Sequence, residues 1–489
     1  MDATTSAAPP PGLAAASAPA AASPSRPWTL ALTAGASFLA ALDTMVVNTA
    51  LPTIRHDLNA SLQALEWVVN AYTLSFAVLL MAGAALGDRF GRKRMFIAGL
   101  GIFTAASAAC ALAPGPGALV AARVLQGVGA ALVMPLAMAL LGAAYPREAR
   151  ARALGIYGGI TGLAVFAGPV VGGAIAQSGA WQGIFWLNLP LALVLMVLAG
   201  ARLQESRGPQ APLDLGGMAL ATGGALGLVW GLVRADVAGW GSAEVVGALL
   251  AGAVSGALFL AWQARSRAPM VPLRLFRVNA FAAGNAAAFM FSAALYGTLF
   301  FLAQFLQIAQ GQGPLGAGLR LLPWTATLFV MAPLAGAMVN RIGEKPLVVA
   351  GLLLQSAGLA WIAAIARPDL PYAQLVLPLI ITGAGLSAAM PAAQNAVFGA
   401  VAPPEIGKAS GIYNMLRFLG GVFGVAILAA VFAAGGGLHS AAEFGRGFMP
   451  AMAVAALFAF FGACAGLGLP GRAPRAVPAG MEMRKGASS

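Results

Sequence analysis

The chain has 489 residues, of which 60% are hydrophobic and only 9% are charged, and its mean hydropathy is +0.84. A soluble globular protein carries about 25% charged residues, so this composition excludes a single soluble core and indicates a membrane protein. The formal net charge of +13 does not indicate nucleic acid as a partner, because the cations lie in short gaps between apolar segments and form no single stripe.

The predicted elements, in chain order, begin with an Ala/Pro/Ser-rich segment, residues 1–28, which is expected to be a disordered cytoplasmic tail. Fourteen apolar segments long enough to cross a bilayer as helices follow, and residues 470–489 form a second cytoplasmic tail. The fourteen predicted spans are 29–51, 64–86, 95–113, 118–142, 153–176, 183–201, 215–234, 244–264, 280–303, 316–339, 347–366, 373–397, 409–434 and 447–469.

The positive charges predict how these spans are oriented. If the N-terminus is cytoplasmic, the segments on that side hold 21 Lys and Arg residues, and the outer loops hold four: Arg55, Arg234, Arg367 and Arg446. The positive-inside rule therefore places both termini in the cytoplasm and supports an even number of spans. We expect a multi-pass protein of the cytoplasmic (inner) membrane.

Two short matches indicate an internal repeat. GDRFGRKR after span 2 aligns with VNRIGEKP after span 10, which pairs Asp88 with Asn340, and ALGIYGG from Ala153 aligns with ASGIYNM from Ala409. The similar offsets predict two homologous halves. Two more spans separate the loops than a six-plus-six plan allows, so two helices are inserted. We expect an N-terminal six-helix bundle over 29–201, two inserted helices with linkers over 202–278, and a C-terminal six-helix bundle over 279–469.

Span 1 contains Asp43, the only carboxylate well inside any predicted span. A charge at mid-span costs about 2.5–3.5 kcal/mol, so such a residue usually marks a functional site. Burial disfavours an ionised acid, which makes Asp43 a candidate for loading and unloading a proton; a structural, hydrogen-bonded Asp is the alternative. Glu66, at the outer end of span 2, either joins this pathway or lies in water. Arg123, in span 4, is the candidate partner of Asp43, unless its side chain extends to the surface.

Several absences limit the possible chemistry. The sequence has no GxxxxGK[ST] loop, so ATP hydrolysis is not expected. The two histidines, His56 and His439, fall in predicted outer loops, so we expect no metal site, no cofactor and no enzyme activity. An ion gradient is the expected source of energy.

Both halves contain specific motifs: LDTMVVNTALPTI in span 1, WVVNAYTL in span 2, the loop GDRFGRKR, RVLQGVGAA in span 4, AGPVVGG in span 5, and FLQIAQGQGPLGAGLRLLP and GIYNMLRFLGGVFGVA in the second half. These motifs resemble those of the fourteen-span drug/proton antiporters of the major facilitator superfamily. Met45, Ala84 and Ala164 depart from the family pattern. The resemblance implies an all-α membrane protein with the major facilitator fold that exports small amphipathic molecules by alternating access, driven by proton entry.

The loop after span 2 is predicted to act as a gate. Gly91 permits a tight turn, and Asp88 can pair with cations or with a helix N-terminus across the interface between the halves. Contacts of this kind hold one access state and break in the other. The predicted gating residues are Asp88, Arg89, Gly91, Arg92 and Lys93.

The motif in span 5 places a proline and small residues at mid-span. Proline bends a helix and small residues let helices approach closely, which predicts a dry seam that prevents ion leakage; ordinary membrane packing is the alternative. These residues are Gly168, Pro169, Gly172 and Gly173. The polar candidates for lining a substrate cavity are Asn48, Asn70, Tyr72, Gln126, Asn414 and Arg417.

The expected function is proton-coupled multidrug export by a monomer in the lipid bilayer. A transporter dedicated to one metabolite or self-made antibiotic is one alternative, and a non-transporting membrane sensor or scaffold is another. The second is disfavoured because the chain has no sizeable soluble domain. With one intramembrane carboxylate, we expect monovalent lipophilic cations or neutral compounds as substrates in preference to divalent cations.

Overall fold

The computed structural model describes residues 25–208, 213–402 and 405–471. The predicted tails lie largely outside these ranges, although α1 begins at Ser25 instead of Thr29. Over the described residues the structure is helical without β-strands, and fourteen segments are long and apolar enough to cross a membrane. The predicted fold class and number of spans are confirmed.

The N-terminal half supplies six of these spans. They are α1 (Ser25–Leu58), α2 (Leu62–Phe90), α3 (Arg92–Ala111), α4 (Pro116–Ala144), α5 (Arg147–Gln177), and the short α6 (Gly183–Trp186) continued by α7 (Asn188–Arg202). Local chemistry explains two of the starts. The Ser61 hydroxyl accepts a hydrogen bond from the Ala64 N–H and caps α2, and Pro116 occupies the first turn of α4, where no N–H is needed.

The two inserted helices are α8 (Leu215–Ala238) and α9 (Ala243–Arg265). They pack against each other, and α8 also packs against α2 and the later helix α16 (Ile406–Ala433). An apolar cluster joins these three helices and includes Leu74, Val229 and Val422. The inserted pair therefore lies beside the contact between the two halves.

The C-terminal half begins with α10 (Asn279–Gln304), which a π-helical turn (Phe305–Ala309) extends. Then follow α11 (Pro314–Arg320), α12 (Leu322–Thr325), α13 (Thr327–Ile342), α14 (Glu344–Ile365), α15 (Tyr372–Gly399), α16 and α17 (Ala441–Gly466). The predicted span 10 is broken into α11, α12 and α13. Pro323 accounts for the first break, because proline has no N–H and clashes with the preceding turn.

We call the face where the described chain begins the terminal face, and the other the opposite face. At the terminal face the Tyr145 hydroxyl at the end of α4 donates a hydrogen bond to the Arg26 carbonyl at the start of α1, with an O–O distance of 3.0 Å. At the opposite face the two halves touch: Arg55 donates to the Leu438 carbonyl at 3.0 Å, and Gln307 donates to the Thr49 carbonyl at 2.9 Å.

Between the two faces, α5 and α13 make contact through the rings of Phe166 and Phe329, with centroids 5.2 Å apart. Nearer the terminal face, a Cβ atom built on Gly155, Gly158 or Gly159 would meet no described atom within 4 Å. The halves are therefore in contact on the opposite face and along α2 and α16, while the first half of α5 carries glycines whose added Cβ atoms would meet no described neighbour.

Candidate functional site

Asp43 lies at the centre of a polar cluster inside the N-terminal half. Its side chain is fully buried, and its carboxylate accepts hydrogen bonds from three side chains on other helices. Arg123 of α4 forms an ion pair with Oδ2, whereas Gln126 and Asn188 each donate an amide N–H to Oδ1 at 2.8 Å. The structure thus brings the predicted pair together. The alternative of Arg123 reaching the surface is wrong, because only 1% of its side chain is exposed.

Arg123 has further partners that satisfy its guanidinium. It donates to the Val68 carbonyl at 3.0 Å and to the Gln126 Oε1 at 2.7 Å, and its Cζ lies 4.3 Å from the centre of the Tyr72 ring. A guanidinium keeps its charge inside a protein, so each of these acceptors offsets part of the cost of removing it from water. Tyr72 in turn donates its hydroxyl to the Ala40 carbonyl at 3.0 Å.

Three members of the cluster were not predicted from the sequence. The Ser107 hydroxyl accepts hydrogen bonds from Gln126 at 2.8 Å and Asn188 at 3.2 Å, and the Cys110 thiol lies 3.6 Å from the Gln126 Oε1. The only signal for Asn188 was an amide inside the apolar span 6. Gln126 and Tyr72, predicted to line a substrate cavity, are instead enclosed with the ion pair, and neither faces open space here.

Glu66 forms a separate buried site. Its side chain is 3% exposed, so the interpretation that it lies in water is wrong. Its Oε2 has no hydrogen-bond partner among the described residues. On the same face of α2, Gln63 donates to Asp236 of α8 at 2.9 Å, and the Trp67 and Trp230 rings are 5.7 Å apart. Glu66 therefore faces the inserted helix α8, and no hydrogen bond in the described chain joins it to Asp43.

The predicted gating loop is held by its own side chains and by the segment that follows α7. Asp88 pairs with Arg92 at 2.8 Å, and its backbone carbonyl accepts from the Gly208 N–H at 3.3 Å. Gly91 adopts a φ of +111°, which explains why glycine suits this turn. The expected contact of Asp88 across the two halves does not occur among the described residues in this conformation. Arg89 stacks over the neighbouring Phe90 ring instead of joining this network.

Glu205, which the sequence analysis did not single out, holds the start of α3. Its carboxylate accepts hydrogen bonds from the backbone N–H groups of Lys93 at 2.9 Å and Arg94 at 3.2 Å. The Lys93 ammonium also donates to the Gly200 carbonyl at 2.7 Å. The segment after α7 therefore clamps the loop that was predicted to act as a gate.

The small residues of α5 permit close contacts on two sides. A Cβ on Gly168 would overlap Met45, and one on Gly172 would overlap the Val46 carbonyl, both in α1 beside Asp43. A Cβ on Gly173 would overlap the Pro314 carbonyl in the other half.

Pro169, the remaining residue of the α5 motif, also contacts α11 of the other half. The Pro169 carbonyl lies where a Cβ on Gly318 would be, so α5 and α11 meet almost backbone to backbone. This geometry supports the predicted seam, which lies near the opposite face.

The other cavity candidates divide into two groups. Asn48 and Asn70 are buried, and each has at least one amide atom without a partner in the described chain. Asn414 and Arg417 of α16 are partly exposed. Asn414 donates a hydrogen bond to the Ser410 carbonyl of its own helix at 3.0 Å. Arg417 is the one charged residue among the cavity candidates, and it is not enclosed.

Aromatic rings connect the Asp43 cluster to the C-terminal half. Tyr72, which covers Arg123, lies 6.2 Å from Phe76, and Phe76 lies 4.4 Å from Phe418 of α16. Phe418 is 6.3 Å from Tyr296 of α10, with all distances between ring centroids. A continuous aromatic contact therefore crosses the interface between the halves.

Comparisons with known proteins agree with this architecture. The tetracenomycin C resistance and export protein of Streptomyces glaucescens is 35% identical over 412 residues, which cover 83% of this chain and 76% of that protein. The multidrug resistance protein Stp of Mycobacterium tuberculosis (strain ATCC 25618 / H37Rv) is 35% identical with the same coverage. The methylenomycin A resistance protein of Bacillus subtilis is 32% identical over 80% of this chain and 84% of its own.

Solved structures and a family profile complete the comparison. An auto-inhibited POT family peptide transporter has a TM-score of 0.67 at 17% identity and covers 93% of this chain and 99% of its own, a likeness that shows the fold alone. The profile of the Major Facilitator Superfamily matches residues 33–424 and 284–485. Together with the fourteen apolar helices, this match shows that the chain is a multi-pass membrane protein that belongs to the Major Facilitator Superfamily.

Proposed function

We propose that this protein is a drug efflux transporter that exports small molecules across the cytoplasmic membrane in exchange for protons. Relatives named for antibiotic or multidrug resistance and export support the direction and class of transport. The observation that supports proton coupling is the fully buried ion pair of Asp43 and Arg123. The sensor or scaffold alternative is not favoured, because the relatives are transport and resistance proteins.

The geometry suggests how a proton acts at Asp43. Its Oδ1 accepts two amide hydrogen bonds, so a proton competes with Arg123 for Oδ2. Protonation removes the charge that holds the Arg123 guanidinium, which then needs another acceptor. Because Tyr72 covers Arg123 and contacts the aromatic rings that reach α16, a shift of Arg123 changes the packing between the halves.

Access to Asp43 depends on the opposite face. Gly168 and Gly172 of α5 lie directly against α1 just beyond Asp43, on the side of the opposite face, and Gly173 closes against α11. We propose that a proton enters when this seam opens, and that substrate enters from the terminal face when the seam is closed, as alternating access requires. In this proposal the terminal face is cytoplasmic and carries both termini. The transporter works as a monomer.

Glu66 remains part of the proposal as a second acid. An unpaired carboxylate in an apolar environment is costly unless a proton or a cation neutralises it. Glu66 faces α8 and not the ion pair, so it would take up a proton in a separate step. This role would give the inserted helices a part in energy coupling.

Transport in reconstituted vesicles tests the coupling. We expect the wild type to lower a preset pH gradient when substrate is added, and Asp43→Asn to abolish this exchange. Asp369→Asn is the matched control, because it removes an acid whose side chain is 80% exposed. Full proton-coupled export by Asp43→Asn would exclude Asp43 from the mechanism.

A further inference from the structure

Arg417 carries a charge that no group of the described chain neutralises. It lies in α16, its Cζ is 4.7 Å from the centre of the Phe418 ring, and its Nε is buried without a hydrogen-bond partner among the described residues. None of the ion pairs found in the described chain includes it. A guanidinium does not lose its proton in a protein, so this charge has to be balanced by water or by an anion.

The acids of the C-terminal half lie at helix ends and not near mid-span. Glu344 accepts a hydrogen bond from Asn395, Glu405 pairs with Arg274, and Asp369 pairs with Arg367. Glu443 lies in the first turn of α17, at the opposite face. In the N-terminal half, Asp43 is already bound by Arg123. The mid-span acid of the transporter is therefore not available to Arg417.

The surroundings of Arg417 are aromatic. Tyr296 of α10 reaches this part of α16, with its ring centroid 6.3 Å from that of Phe418, the residue next to Arg417. Gly421, one helical turn after Arg417, lets the Tyr296 ring approach α16, since a Cβ there would lie 2.7 Å from a ring carbon. Phe418 extends this surface to Phe76 in the other half. These rings are buried against one another in this conformation, so Arg417 places a fixed positive charge beside aromatic surfaces that a motion between the two halves would uncover.

We propose that Arg417 is the anion-binding point of the substrate site, and that the exported compounds are planar aromatic molecules bearing a carboxylate or phenolate. The arginine fork binds an anionic oxygen pair well, and aromatic side chains bind flat rings by stacking. This inference rests on the proposed export function and names its substrate class. It replaces the expectation of cationic substrates, because Asp43 is fully enclosed and its carboxylate is bound by three donors.

Equilibrium binding to the purified protein in detergent tests this assignment. The probes are naphthalene-2-carboxylate, its uncharged methyl ester and the cation 2-naphthylmethylammonium. We expect the wild type to bind the carboxylate about tenfold more tightly than the ester, and the cation least tightly. Arg417→Gln abolishes the difference between carboxylate and ester, and Arg417→Lys keeps part of it because the positive charge remains.

Arg320→Gln is the matched control, because Arg320 is another arginine of the C-terminal half stacked on an aromatic ring, 4.9 Å from Tyr372. It should keep the wild-type preference. Retained ester binding by Arg417→Gln shows that this variant is folded. Carboxylate binding by Arg417→Gln at wild-type strength, or a wild-type preference for the cation, would overturn the assignment. Loss of ester binding by Arg417→Lys as well as Arg417→Gln would also overturn it, since Arg417 would then be structural.

Binding in detergent needs no proton gradient, so this experiment is independent of the coupling test. If Asp43→Asn still exports with protons while the wild type prefers the carboxylate, the coupling scheme fails and the anion site stands. If the wild type shows no preference for the carboxylate while Asp43→Asn loses coupling, the anion site fails and the coupling scheme stands.

Discussion

The ion pair of Asp43 and Arg123 makes a quantitative prediction about stability. Both side chains are buried, with relative exposures of 0% and 1%. Removing one member of a buried pair leaves the other charge uncompensated, which typically costs about 3–5 kcal/mol. Asp43→Asn therefore destabilises the protein by about this amount, because Arg123 loses its anion. In addition, the new Asn side chain turns its NH2 group toward one of the donors that Asp43 accepted from.

The second single variant and the double variant isolate the interaction. Arg123→Gln leaves Asp43 buried with only the amides of Gln126 and Asn188, so it has a comparable cost. In Asp43→Asn/Arg123→Gln no charge remains. We expect the double variant to be more stable than the sum of the two single effects predicts, by about 2–3 kcal/mol, which is the range of strong coupling between contacting residues.

Unfolding of the purified protein in mild detergent measures these free energies, and Asp369→Asn provides the exposed control that should change little. The restored stability should not restore function: the double variant stays uncoupled in vesicles because it has no acid at position 43. Strict additivity of the two single effects would refute the claim that this pair is energetically coupled in the membrane-embedded core.

Four further outcomes are expected. In Gly173→Ala the added methyl group overlaps the Pro314 carbonyl, so the seam should open more often. Chemical labelling of residues at the opposite face should therefore be greater than in the control Gly155→Ala, whose added methyl group meets no neighbour. Glu205→Gln weakens the two hydrogen bonds at the start of α3 and should lower unfolding stability by about 1 kcal/mol. Glu66→Gln keeps the shape of the protonated acid, so stability should persist while the measured proton-to-substrate ratio falls; an unchanged ratio contradicts this role. Partial burial opposes ionisation of Asp214, but hydrogen bonds, led by the one from Gln263, lower the pKa of its carboxyl in the folded protein. The stabilisation from this carboxylate is complete above the unfolded pKa of about 3.9 and is lost as the pH falls through the lower folded pKa. Thermal unfolding of Asp214→Asn should lack this loss of stability in acid.

The features that a lipid environment makes costly were predictable from the sequence. Each span needs about 20 apolar residues, so fourteen helices could be counted without knowing how they pack. An acid at mid-span needs a partner, and this requirement pointed from Asp43 to Arg123. Neutral polar residues impose a much smaller cost, so nothing in the sequence distinguished Ser107 and Asn188 from side chains that bond to their own helix.

Contacts that depend on the route of a connecting segment were not predictable. Glu205 reaches the start of α3 only because the chain after α7 passes beneath the loop at Asp88. The same applies to the gate: its spacing indicates a special turn at Gly91, but the partner of Asp88 depends on the conformation. In this closed-seam conformation that partner is Arg92 of the same loop.

The α5 glycines explain how an event at Asp43 can reach the other half without a long chain of intermediates. Gly172 lies against the backbone of α1 one turn beyond Asp43, and Gly173, the next residue, lies against Pro314 of α11. Because backbone atoms meet on both sides, no flexible side chain can absorb a displacement between them. A rocking motion that separates Gly173 from Pro314 must therefore move α5 relative to α1, and with it the protein wall that keeps Asp43 from the opposite face. In the proposed mechanism, one helix movement would therefore both open the seam and admit a proton to Asp43.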